Sequence, residues 1–158
     1  MLLVACDHGE TLTELLDESP DELDGKGLVC ERLNLPWPTR PRWVDYPYDG
    51  VRFVDGKVEW DMIAQGTVDA PENAVSAYVS TVGYGGYKRY SQSQTEIWWW
   101  GDWFVLDRKT LELENTREHN KKYQCEAFST PDSYNDEIDR HLRKLRQKFA
   151  REMKNNKI

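Results

Sequence analysis

Tyr84, Tyr87 and Tyr90 recur every third residue in VGYGGYKRYSQSQ, with Gly85-Gly86 and the cations Lys88-Arg89 between them. Rings that stack, cations that neutralise phosphate and a flexible glycine pair are what single-stranded nucleic-acid binding uses. The last third of the chain adds to this. Arg140, Arg143, Lys144, Arg151 and Lys154 fall opposite an apolar stripe at helical spacing and form one basic face. Arg140 and Lys144 are like charges at i,i+4, which repel slightly, so an anionic neighbour is expected there. The acidic chain as a whole argues the other way, because nucleic-acid domains are usually basic.

The stretch TEIWWWGDW is the second candidate. In a strand, neighbouring side chains alternate faces. Ile97, Trp99 and Trp103 then share one face, and Glu96, Trp98, Trp100 and Asp102 the other. Unpaired carboxylates are costly to bury, so the second face is expected to be partly wet. Trp99 reads as core, and Trp98 with Trp100 as a half-exposed aromatic pair, which the C-terminal helix either covers or leaves open as a surface. Such a surface suits a protein partner, or a glycan or small ligand stacked over the rings. A bulge at Gly101-Asp102 would exchange the faces beyond it.

Other chemistry finds little support. Asp7-His8-Gly9-Glu10-Thr11 has the D-x-G-x-T form of a phosphate-binding turn, but that pattern is short, and Thr11 is explained by helix capping. Cys6, His8, Cys30, His119, Cys125 and His141 lack the paired spacing of a metal site. No G-x-S-x-G element marks a nucleophile. No catalytic residue, metal or cofactor is therefore assigned.

The elements that would position these residues are legible in part. VRFVDGKVEW predicts a hairpin with a type I′ turn at Asp55-Gly56, which sets Val51 opposite Trp60, Arg52 opposite Glu59 and Phe53 opposite Val58. WFVLDRKTLELE predicts another, turning over Asp107 to Thr110. Tyr134, Ile138, Leu142, Leu145, Phe149 and Met153 step by three or four and predict a helix from Pro131 to Lys154. Residues 2–6 suit a short strand, and Thr11 to Glu14 a capping box opening a short helix. Residues 36–47, with four of the seven prolines, read as extended, and Pro38 and Pro41 give a loose P-x-x-P. Residues 69–82 are read as a second helix, with Ala74, Val75, Tyr78, Val79 and Val82 on one side. The β-branched content there favours a strand.

A chain of 158 residues with 39% hydrophobic and 31% charged composition suits one domain, residues 1–158, with its own core. The expected fold is α+β: an antiparallel sheet of four to six strands, from residues 51–64 and 96–114, under the long C-terminal amphipathic helix. Three scattered cysteines are not a disulfide framework, MLLVAC is short for a signal peptide, and no apolar run reaches the roughly 20 residues that span a bilayer. A reduced cytoplasmic protein without membrane contact is the expectation.

The net charge of −7 is uneven. Residues 1–24 carry eight acids and no Lys or Arg, and residues 139–158 carry eight bases and two acids. Either the two ends neighbour each other, or they face partners. The acidic run from Asp7 to Asp24 suits the basic groove of a larger complex. A non-enzymatic protein-binding module, an inhibitor of such a complex or a homodimer, therefore ranks first. Single-stranded nucleic-acid binding ranks second, and a glycan or small-ligand site third.

Overall fold

A computed structural model describes residues 23–34, 46–66, 76–83, 89–118 and 121–155. Nine strands and one helix run β1 Gly27–Arg32, β2 Tyr48–Val54, β3 Lys57–Gly66, β4 Ser76–Gly83, β5 Ser91–Gln92, β6 Glu96–Trp99, β7 Phe104–Asp107, β8 Glu112–Asn115, β9 Lys122–Phe128 and α1 Pro131–Asn155. The strands form one antiparallel sheet in the order β4-β3-β2-β1-β9-β8-β7-β6-β5. The class is α+β, as expected, with a nine-strand sheet curled into a half-barrel instead of four to six strands. All neighbours in the sheet are also neighbours in sequence, except β1 and β9.

The β2–β3 hairpin has the expected register, Val51 with Trp60, Arg52 with Glu59 and Phe53 with Val58. Asp55 and Gly56 both take positive φ, as a type I′ turn needs. The second hairpin pairs Leu106 with Leu113. Its turn is held by Asp107 Oδ1, which accepts from the backbone N–H of Lys109 and Thr110. Those bonds, Thr110 first, hold the Asp107 carboxyl below its usual range.

One expectation is overturned. Residues 76–83 form β4, not a helix, and pair along their length with β3. Ala77 is buried and Val79 half-buried on the α1 side, while Val82 pairs with Trp60 on the opposite side. A strand with apolar residues on both faces imitates a helical stripe, and here the β-branched content decides. The proposed strand at 2–6, the capped helix at 11–20, the extended segment at 36–45 and residues 69–75 lie outside the described residues.

Both faces of the β1–β3 region are covered. The curl brings β6 to β8 against the inner face, so Trp60 meets Phe104 at 4.7 Å and Tyr123 at 5.5 Å between ring centroids. Phe53 meets Tyr90 edge-on at 5.2 Å. Aromatic contacts of this kind add about 0.5–1.5 kcal/mol each beyond area burial. Helix α1 covers the outer face, laying Tyr134, Ile138, Leu142 and Leu145 on Val29, Ile63 and Ala77.

Tyr134 sits directly over Gly27 and Gly50, on adjacent strands, where a Cβ on either would collide with it. Its hydroxyl donates to Asp61 Oδ2 at 2.7 Å. Asp61 also accepts from Arg52 Nε at 2.6 Å and Thr81 Oγ1 at 2.7 Å, so its buried charge is fully engaged. Burial, and then the Asp61 carboxylate, push the Tyr134 phenol well above its ordinary range.

Cys30 and Cys125 are opposite each other in the β1–β9 pairing and form a disulfide. This corrects the reading of three unpaired cysteines. The two are 95 residues apart, and only the sheet register brings them together. Closing a loop of that length stabilises by about 4–5 kcal/mol in the chain-entropy account. It also ties the β1–β4 half to the β5–β9 half at the one junction where the strand order jumps.

Candidate interaction surface

The outer face of the sheet divides into two parts. Helix α1 packs on β1, β3, β4 and β9. Beyond it, a cross-strand row runs from Ser91 through Trp98, Val105 and Glu114 to Lys122. Trp98 and Val105 are half-exposed and belong to neither apolar cluster of the described residues. An indole beside a valine, both partly in water, is the unpaired apolar centre of this face.

Acids line one side of that centre. Glu96 and Asp107 pair in the next row along the strands, Glu112 and Glu31, each opposite Gln124, continue that row, and Glu126 lies one row further. Lys122 is the exception, with Nζ 2.7 Å from Glu112 and 3.8 Å from Glu114. Glu112 first, then Glu114, hold its ammonium above the usual lysine range.

The tryptophans split as expected at Trp98 and Trp99, and differently at Trp100. Trp99 is 2% exposed and stacks on Phe104 at 5.8 Å. Trp100 is 7% exposed and packs against Trp60 and Phe104, so it does not pair with Trp98 on the surface. The cause is backbone conformation. Trp100, Gly101 and Asp102 all take positive φ in the β6–β7 turn, which ends strand alternation after Trp99 and turns the Trp100 ring inward. Trp103, half-buried, sits under the Arg117 guanidinium at 3.7 Å.

Of residues 84–90 of the tyrosine loop, only Arg89 and Tyr90 are among the described residues. Tyr90 is 5% exposed in the inner core, Arg89 is exposed beside Gly56, and Tyr84, Tyr87 and Lys88 lie outside the described residues. The basic helix face is exposed as expected at Arg140, Arg143, Lys144, Arg151 and Lys154. Arg140 pairs with Glu137 one turn earlier, which offsets the repulsion with Lys144 from inside the helix. No described carboxylate pairs with Arg143, Lys144, Arg151 or Lys154.

Sequence reading missed the buried polar groups, among them Asp61, Arg32 with Asp49, and His141. Arg32 and Asp49, wholly buried, make a bidentate pair at 3.0 and 2.7 Å. His141, 2% exposed, places Nδ1 2.6 Å from the Tyr46 hydroxyl and Nε2 3.0 Å from Glu137 Oε1, with Tyr48 against its ring at 4.1 Å. Neutral imidazole satisfies both contacts, accepting from Tyr46 and donating to Glu137. Burial holds the His141 pKa below its ordinary value. Such a chain resembles a proton relay, but a nucleophilic phenol needs a lowered pKa, and burial with Tyr48 pushes Tyr46 up to about 12. The contact fastens α1 to the sheet. Among the described residues, no group of three His, Cys, Asp or Glu converges as a metal site. No described helix is long and apolar enough to cross a membrane.

No family model, curated protein or solved structure matches this chain. Function is argued from the surface alone.

Proposed function

We propose that this chain is a non-enzymatic protein-binding module whose contact surface is the outer face of β6 to β9, centred on Trp98. The observation that carries the reading is the uneven cover of the sheet. The helix seals one part of the outer face and leaves Trp98 and Val105 partly exposed, with acids along one side. Aromatic residues in such a setting are the usual interface anchors. An inhibitor of a larger, basic-surfaced complex fits the same charge.

The test compares wild type with Trp98→Ala as bait in host lysate, with and without nuclease. A stoichiometric protein that survives nuclease and is lost with Trp98→Ala supports the reading. Capture unaffected by Trp98→Ala, in a folded variant, rejects it.

A second reading, polyanion binding, is favoured by the four helix cations without a described carboxylate partner. Affinity would then fall by about 0.7 log units per phosphate contact for each tenfold rise in salt on single strands.

The disulfide bears on compartment. Such bonds persist where the surroundings are oxidising. Cytoplasmic residence, as the composition suggests, requires Cys30 and Cys125 to be thiols there. Thiol trapping at lysis decides, since an intact bond places the protein in an oxidising compartment.

A further inference from the structure

The acidic bare face has a complement on this same molecule. Its acids are Glu31, Glu96, Asp107, Glu112, Glu114 and Glu126, which outnumber the bases Lys122 and, beside Asp107, Lys109. The exposed side of α1 presents Arg143, Lys144, Arg151 and Lys154, with no described carboxylate paired to any of them. Both patches lie on the outer side of the sheet and adjoin along β9, where Glu126 stands opposite Val29, a residue covered by α1. Within one chain the strip cannot reach the bare face, because α1 is fixed by its apolar side to Val29, Ile63 and Ala77.

We propose that the partner on the Trp98 face is a second copy of this chain, in an isologous dimer that lays the basic side of each α1 over the acidic bare face of the other. This deepens the interaction-module reading and rests on it. A two-fold axis near the β9 border, where the patches meet, exchanges helix and face between copies, so one contact made twice closes the assembly. The dimer covers Trp98 and Val105 and places four cations of each strip opposite the acids of each face. A helix lying on the outer sheet surface is the packing that α1 already makes within one chain. Complementary surface charge of this kind fixes register and excludes like-charged partners more than it adds raw affinity.

Charge exchange is the test, read by sedimentation velocity on the full chain. Wild type is expected to dimerise, and to do so at least about tenfold more weakly at ~500 mM than at ~50 mM salt. Arg143→Glu, Lys144→Glu and Arg151→Glu together leave three acids and one base on the strip, so both patches are acidic, and this variant is expected to be monomeric. Glu31→Lys, Glu96→Lys and Glu126→Lys together leave three of the six acids on the face against those three lysines and Lys122, so both patches are basic, and this variant is also expected to be monomeric. All six positions are exposed and none lies in the core. Mixed one to one, the two variants regain both attractive contacts and are expected to form a heterodimer.

A wild type monomeric throughout the accessible concentration range overturns the dimer. So does a ladder of larger species, which signals head-to-tail contact. Two variants that each dimerise like wild type overturn it as well. If the chain is monomeric and Trp98→Ala still abolishes capture of another protein, the dimer fails while the interaction surface stands. If dimerisation ignores Trp98→Ala and both charge sets, the two fail together.

Discussion

Strands β1 and β8 lie in the same sheet, two places apart, and their sequences differ in a way that their surroundings explain. GLVCER in β1 is buried at five of six positions, because β6 to β8 curl over its inner face and α1 covers its outer one. ELEN in β8 sets one buried leucine among half-buried polar residues, because among the described residues only its inner face is covered. Trp98 and Trp99 repeat the contrast within a single dipeptide, one ring outward and half-wet, the other inward at 2% exposure. The difference teaches that the protein spends its apolar residues unevenly. One half of the outer face is finished by the chain's own helix, and on the other Trp98 and Val105 stay partly exposed.

The largest expected effect comes from cutting the bond between the halves. Cys30→Ala with Cys125→Ala should lower unfolding free energy by about 4 kcal/mol, read by denaturant titration. Trp99→Ala should cost about 3–5 kcal/mol by leaving a cavity in the inner core. Its neighbour Trp98→Ala should cost under about 1 kcal/mol in the same titration, since it packs in neither apolar cluster. Equal losses at the two positions would break the comparison. Gly50→Ala should cost about 1–3 kcal/mol, because its methyl would displace the Tyr134 hydroxyl from Asp61. Glu114→Ala on the bare half should change stability by less than about 0.5 kcal/mol.

Acid should weaken the covered half by a smaller amount. Burial disfavours the charged form of His141, so the unfolded chain binds a proton that the folded chain resists. Stability is therefore full above the ordinary imidazole value of 6.5 and falls as pH drops below it. Glu137, held low first by its bond to Arg140, adds a second loss as pH falls below the ordinary carboxyl value of 4.5. Thermal melts from neutral to acid pH should show both, and His141→Phe should flatten the upper one.

What the sequence made legible was local. The β2–β3 hairpin followed from Asp55-Gly56 and one opposite-charge pair, and α1 from one stripe and charges matched to its dipole. Trp98 and Trp99 followed from alternation. Trp100 did not, because three successive residues of positive φ abolish alternation at the turn, and no single-residue preference announces that. The disulfide was hidden because its partners meet only through the β1–β9 register, the sheet's one non-sequential pairing. Tyr90 looked like a free ring in a basic loop and instead packs on Phe53, since the curl that buries it is a tertiary event. The acids beside Trp98 come from five strands, which alternation within any one of them does not assemble.

The most direct test of the bare face as the contact surface is photo-crosslinking in the native host, with a benzophenone amino acid replacing Val105 and, as control, exposed Lys109. One adduct of defined mass is expected at position 105, to a second copy or another protein, and none at 109. No adduct at 105, or equal labelling at both, would contradict it.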